Sequence, residues 1–424
     1  MAHNLIVGTG TVAAGLLGVA FQSIASHQLR PADYGGVFAV VTLITLIGLP
    51  AGAFTLLVAR ETSRGQASGN TASSDNLLRQ GNKALMLFGI ALATLLALGS
   101  PLLSGFLNVP RELLLAAAIG VPFAMALPLL MGAFQGEQRF VALSLLLGGQ
   151  ATLKLVAAIA LGLMFGSFGV IAGISLATFI TYFVALRLLR RRRTIGPNLT
   201  WWRPALNYLV VVMPSTLAMA VLLSADVLLV KHFFPSSSAG EYAAVAALGR
   251  AIFWGATGVA AVLFPKVVFR TAQGRSGSHL VGVSLILVAI GGLGGLTLLS
   301  VGSGWLLTAF AGAAYATAAV YLPWYAFGMT MLGGVAVIVA TLQSQGGRGF
   351  LAILLPLTLA EPVLLMMTMH GDLFQVVQML DASMVVILVG LGLFYIVKER
   401  LWRTTSVRSS VNMTEQVVEL VPSR

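Results

Sequence analysis

The sequence alternates between long apolar runs and short polar connections. Two of the clearest runs lie at 84–98 and 351–369. A helix that crosses the hydrocarbon core of a bilayer needs about 20 predominantly apolar residues. Runs of this length predict twelve transmembrane helices. We expect them at 5–29, 36–58, 84–106, 113–134, 140–165, 168–189, 206–232, 240–264, 279–301, 319–342, 350–369 and 378–397.

One further apolar stretch, 304–318, is too short and too interrupted to be predicted as another crossing. It contains Trp305 and Tyr315, two residue types that favour the headgroup level of a bilayer. We therefore expect this stretch to lie at the membrane interface and to lead into the tenth crossing.

The composition supports a polytopic membrane protein. Hydrophobic residues make up 58% of the chain and charged residues 9%, with a mean hydropathy of +0.94. Soluble domains carry about a quarter charged residues, so this chain has too little charge to cover a water-facing surface. The absence of cysteine excludes disulfides, thiolate metal sites and thiol nucleophiles. The first run lacks a basic leader and a cleavage pattern, so we expect it to be retained as a span.

The positive charges predict the orientation. The net charge of +12 could suggest nucleic acid, but Lys and Arg cluster at the ends of apolar runs. Such residues mark the cytoplasmic side, which places both termini in the cytoplasm and the chain in the plasma (inner) membrane. The arginine run 190–193 is interpreted as a topogenic stop rather than a nucleic-acid or lipid-headgroup patch. The basic connections follow the second, sixth, eighth and twelfth runs, and they carry Arg60, Arg64, Arg79, Lys83, Arg187, Arg203, Lys266, Arg270, Arg275, Lys398, Arg400 and Arg403.

An internal repeat relates the two halves of the chain. Aligned without a gap, the connections after the first and seventh runs match at several positions. Because six helices separate the two copies, the halves are predicted to be parallel repeats around a central cavity, an arrangement that permits alternating access. We expect lobes at 1–190 and 206–398, a basic linker at 191–205 and a disordered cytoplasmic tail at 399–424. The matched pairs are Pro31 with Pro235, Gly36 with Gly240, Phe38 with Tyr242 and Ala39 with Ala243.

Several segments resemble one transporter family. The chain is similar to the oligosaccharide and polysaccharide flippase branch of the multidrug/oligosaccharidyl-lipid/polysaccharide exporter superfamily. The resemblance implies a twelve-helix, two-lobed transporter of isoprenoid-linked glycans, with membrane lipids and a lipid-linked glycan as partners. The segments that carry it are Leu29-Arg-Pro-Ala-Asp-Tyr-Gly35, Gly132-Ala-Phe-Gln-Gly-Glu-Gln-Arg-Phe140, Ala225-Asp-Val-Leu-Leu-Val-Lys-His-Phe-Phe-Pro235, Ala239-Gly-Glu-Tyr-Ala-Ala244 and Leu263-Phe-Pro-Lys266.

Charged residues inside the runs are the candidate binding residues, because a charge in the membrane is costly unless it serves a purpose. Lys154 and Arg250 are candidate cations for an anionic diphosphate, and Gln22 is the repeat counterpart of Asp226. Asp226 and Glu361 could bind sugars or a coupling Na⁺ or H⁺. Alternatively, Asp226 and Arg250 form an ion pair that only fixes packing, because they lie at similar depth in neighbouring helices.

Other functions are less well supported. No phosphate loop, HExxH or Gly-x-Ser-x-Gly motif occurs, so we expect no enzyme activity, metal or cofactor, and no nucleic-acid partner. An ion-coupled multidrug exporter of the same superfamily would favour a more acidic cavity. A membrane glycan polymerase or ligase would need a long non-cytoplasmic loop, which none of the predicted connections provides. The cargo and the oligomeric state are left open.

Overall fold

A computed structural model describes residues 2–67, 72–189, 202–272, 278–345, 347–368 and 371–419. Every regular element in these ranges is helical, which confirms the all-α prediction. Two 3-10 helices lie at Leu49–Ala51 and Ala313–Tyr321. The α-helices are α1 Ala2–Gln28, α2 Pro31–Gly48, α3 Gly52–Ala67, α4 Ala72–Leu107, α5 Arg111–Gly136, α6 Phe140–Leu189, α7 Trp202–Leu222, α8 Ala225–Phe233, α9 Ser236–Ala272, α10 Ser278–Val301, α11 Ser303–Ala311, α12 Leu322–Ser344, α13 Leu351–Met367 and α14 Leu373–Glu419.

The described helices account for twelve crossings. Nine segments of the described chain are long and apolar enough to span a bilayer. One of them, α6, is bent at Gly166 into two crossings, where φ is +60° and ψ is −141°. Glycine adopts this region without the steric cost that a Cβ would bring. The helices α1 and α13 supply the remaining two crossings, so the predicted number is confirmed.

The helices pack as two six-crossing halves. In the first half, α5 packs against α4 and α6, and α1 packs against α6; in the second, α12 packs against α9, α10 and α14. The halves meet chiefly along α2 and α9. The predicted two-lobed layout is therefore confirmed, and the seam between the lobes runs between α2 and α9.

Two aromatic residues in the stretch between α10 and α12 differ in exposure. Trp305 in α11 is exposed, as expected for an interfacial residue, but Tyr315 in the following 3-10 helix is buried. The Tyr315 ring packs edge-to-face on Tyr34, with centroids 5.9 Å apart. Packing between the halves therefore takes up the Tyr315 ring, and the interfacial position of this stretch stays a prediction.

Two of the sequence-based boundaries fall partly outside the described residues. The arginine run 190–193 and most of the linker 191–205 lie there, so the role of the linker stays a prediction. At the other end, α14 continues as helix to Glu419, whereas the sequence predicts disorder from 399 onward. Residues 420–424 lie outside the described chain.

Candidate functional site

A break in the seventh crossing positions Asp226. The helix α7 ends at Leu222 and α8 begins at Ala225, so Asp226 lies in the first turn of α8. The free N–H groups and the dipole of a helix N-terminus favour a carboxylate there. Asp226 is 0% exposed. A carboxylate at this depth needs partners, because an uncompensated charge is expensive to bury.

Three side chains supply those partners. Arg250 Nη2 in α9 lies 3.2 Å from Asp226 Oδ1. The hydroxyls of Tyr242 and Tyr325 each donate to Asp226 Oδ2 at 3.0 Å. Arg250 Nε also donates to Tyr325 Oη at 3.1 Å. The ion pair that the sequence offered as one alternative is therefore present, within a network that joins α8, α9 and α12.

Arg250 also contacts the first half of the chain. Its Nη1 donates to Thr42 Oγ1 at 3.5 Å, and its guanidinium carbon lies 5.2 Å from the centroid of the Phe38 ring. Both contacts lie on α2. Arg250 thus forms its ion pair within the second half and also contacts the first half at the seam.

The repeat counterpart of Asp226 lies in a neutral version of this arrangement. Gln22 in α1 accepts a hydrogen bond of 3.2 Å from the hydroxyl of Tyr34. Gln22 therefore occupies the repeat position of Asp226, while its tyrosine partner comes from a different position of the following helix. Each half thus has a polar side chain on its first crossing that bonds a tyrosine on its second crossing, but Gln22 is only partly buried and uncharged.

Lys154 stands apart from this network. It lies on the first part of α6 and is only partly buried. Its Nζ is 4.7 Å from the centroid of the Phe21 ring in α1. Among the described residues, no carboxylate lies within ion-pair distance of Lys154. The structure thus does not join the two candidate cations, and Lys154 has an aromatic neighbour instead of a counter-charge.

Glu361 is buried without a donor in the described part of the chain. It is 0% exposed on α13, and neither of its carboxyl oxygens accepts a hydrogen bond there. Its carboxyl group is close enough to Asp226 for two negative charges there to repel each other. The hydroxyl oxygens of Ser224 and Thr358, which are also buried, likewise lack a described hydrogen-bond partner. The second half therefore contains several buried side-chain oxygens that have no hydrogen-bond partner among the described residues.

Asp381 is a buried carboxylate that the sequence analysis missed. It is 7% exposed on α14 and packs against Gly328 of α12, the backbone of which lies close to its carboxylate. A signal was available, because the residue lies inside the twelfth predicted run. Tyr325 was also missed, and no local pattern identifies it as a partner of a residue almost a hundred positions earlier. In the described chain, no group of three His, Cys, Asp or Glu residues comes together as a metal site.

Comparison with known proteins identifies the fold. No protein-family model matches the sequence, and no curated protein matches it significantly. Among solved structures, the chain is similar to an inward-facing multidrug resistance MATE family transporter of the MOP superfamily, with a TM-score of 0.76, 14% identity and coverage of 92% of this chain and 96% of that chain.

Two further structures share the fold. The lipid II flippase MurJ in an inward closed conformation gives a TM-score of 0.71 at 12% identity, with coverage of 99% of this chain and 94% of the flippase. An outward-facing MATE family transporter gives 0.59 at 14% identity, with coverage of 93% and 96%. Identities this low show a common fold and do not identify the cargo.

Proposed function

We propose that the chain is a membrane transporter that flips a polyprenyl-diphosphate-linked oligosaccharide across the inner membrane by alternating access. In this proposal the anionic headgroup passes between the two halves while the lipid tail stays in the bilayer. The fold supports a transporter, because solved structures that share it are named as a lipid flippase and as multidrug transporters. The cargo is argued from the embedded charges.

Lys154 carries the argument for an anionic cargo. A cation in the membrane is costly unless it is paired, yet its described neighbour is the ring of Phe21. Aromatic rings stabilise a cation by about 0.5–2 kcal/mol, but they leave its charge unbalanced. A diphosphate would supply the missing charge. Arg250 could contribute a second contact from the opposite half, at the cost of its contacts with Thr42 and Phe38.

The multidrug alternative also has support. Asp381 joins Asp226 and Glu361 as a third buried carboxylate. The balance of two cations and two carboxylates, on which the sequence argument for an anionic cargo rests, therefore no longer holds. Buried carboxylates suit a cationic drug, and an exporter of this kind remains the second candidate function.

We also propose that the second half takes up the coupling ion. Glu361 has buried oxygens without described hydrogen-bond donors, Asp381 is a second buried carboxylate, and Ser224 and Thr358 add hydroxyl oxygens. Burying an ionised carboxylate without a partner is costly, so a proton or Na⁺ would stabilise Glu361. Oxygen ligands of this kind suit a hard cation.

The transport assay should use purified protein in liposomes. A fluorescent polyprenyl-diphosphate disaccharide would report translocation, and an organic dye cation would report drug export. We expect Lys154→Ala to lower glycan translocation at least about tenfold, as when a charge-assisted contact is lost, while Lys154→Arg retains most of it. Lys83→Ala is the matched control, because Lys83 is exposed. Undiminished glycan translocation by Lys154→Ala, or translocation of the dye alone, would overturn the glycan proposal.

A further inference from the structure

The two halves close against each other at one end of the molecule. We call this the hairpin end; it carries the connections after the first, third, seventh and ninth crossings. His232 Nδ1 lies 2.7 Å from the carbonyl oxygen of Phe106, and their rings stack with centroids 3.9 Å apart. Ser23 donates to the carbonyl of Phe310 at 2.6 Å. Each contact joins the first half to the second, so this end is closed.

At the centre of the hairpin end, two helix N-termini meet backbone to backbone. A Cβ added at Gly35, in the first turns of α2, would lie 2.8 Å from the amide nitrogen of Gly240 and 2.9 Å from its Cα. A Cβ added at Gly240, in the first turns of α9, would overlap the carbonyl oxygen of Pro31. In both cases the opposing atoms are backbone, which cannot move aside as a flexible side chain can.

We propose that this Gly35–Gly240 crossing sets whether the hairpin end can close, and that a side chain at either position shifts the protein toward an arrangement in which this end is open. The inference rests on the alternating-access part of the proposed function and is independent of the cargo. Packed interfaces are bistable rather than continuously deformable. A small overlap at the crossing is therefore relieved by separating the halves there.

The crossing is connected to the charged network through the same pair of helices. Further along the seam, Arg250 of α9 contacts Phe38 and Thr42 of α2. Separation at the crossing would withdraw Arg250 from both residues while leaving its ion pair with Asp226 intact. An anion that binds Arg250 in place of Phe38 and Thr42 would also weaken the contact between α2 and α9. Ligand binding at Arg250 and opening of the hairpin end are thus coupled.

Two other glycines provide matched controls. Gly36 is next to Gly35 in α2, but a Cβ there meets only side chains of the same half, Val109 at 3.3 Å and Leu113 at 4.0 Å. Gly255 lies in α9 with Gly240, and a Cβ there meets nothing within 4 Å. All four Gly→Ala substitutions remove a helical glycine, so effects on helix propensity are shared. Only those at 35 and 240 touch the opposite half.

Thiol labelling tests the proposal. Ser26 of α1 is 2% exposed and contacts the second half, where its carbonyl accepts a hydrogen bond from Tyr315 Oη. In this cysteine-free chain, Ser26→Cys gives a single reporter. With purified protein in detergent, we expect Gly240→Ala to raise the labelling rate at least about tenfold, as overpacking shifts the equilibrium. We expect a smaller increase for Gly35→Ala, and parental rates for Gly36→Ala and Gly255→Ala.

The proposal would be overturned if the variants at Gly35 and Gly240 were labelled at the same rate as the control variants at Gly36 and Gly255. If Gly240→Ala does not fold, Gly35→Ala decides alone, because its overlap is smaller. A second readout uses Ser23→Cys with Phe310→Cys and a short thiol cross-linker. Cross-linking should be rapid in the parent and slowed in Gly35→Ala; an unchanged rate would also overturn the proposal. Neither assay needs cargo, so both outcomes stand apart from the glycan assay.

Discussion

The buried pair of Asp226 and Arg250 permits a quantitative prediction. Removing one partner of a buried ion pair typically costs about 3–5 kcal/mol, because it leaves an uncompensated charge. The loss of stability in Asp226→Asn should therefore fall in this range. Arg250 would keep only its contacts with the hydroxyls of Tyr325 and Thr42 and with the ring of Phe38. The charge of Arg250 would then have no counter-charge in the network.

Arg250→Gln should cost less, near the lower end of that range. The carboxylate of Asp226 would retain its two tyrosine donors and the N-terminus of α8. Charge-assisted hydrogen bonds from a hydroxyl are worth about 1.5–3 kcal/mol each, so they compensate part of the lost ion pair. Which of the two variants loses more stability is thus a direct test of the tyrosine contacts.

A double-mutant cycle with unfolding in detergent measures the coupling. We expect Asp226→Asn with Arg250→Gln to be more stable than the sum of the single losses predicts, by about 1.5–3 kcal/mol. The charge-swapped protein should recover only part of the stability, because the hydroxyls of Tyr242 and Tyr325, which donate to the carboxylate, would have to reorient to accept from a cation. Additive single losses would refute the pairing, and full recovery on swapping would refute the role of the tyrosines.

Three other predictions can be tested separately. A Thr194→Cys variant should resist an impermeant thiol reagent in intact cells, and labelling there would reverse the predicted orientation. Na⁺ should raise the thermal stability of the parent if it binds at Glu361, and Glu361→Gln should abolish that increase; an equal response in both would remove Glu361 from the ion site. Gly166→Ala should lower stability by about 1–3 kcal/mol, because its backbone conformation is strained for other residues, whereas an unchanged unfolding midpoint would contradict the bend.

The crossings could be predicted from the sequence because a bilayer imposes a length and a polarity on every span. The sequence offered the pairing of Asp226 with Arg250 as one of two alternatives, since a short connection places both residues at similar depth. The break between α7 and α8 could not be predicted from the sequence, because no proline or glycine marks it. Tyr325 joins the network through the packing of α12 against α9, which depends on contacts between residues distant in sequence.

The distribution of charge between the halves explains how they could separate without a large electrostatic cost. The ion pair lies wholly within the second half, between α8 and α9. Its described contacts with the first half are a hydrogen bond of 3.5 Å to Thr42 and the face of the Phe38 ring. Interactions of these kinds contribute about 0.5–2 kcal/mol each. Gln22 and Tyr34 form a neutral pair within the first half. Separation along α2 and α9 would therefore leave both partners of the ion pair together, and a barrier of a few kcal/mol is compatible with repeated opening and closing.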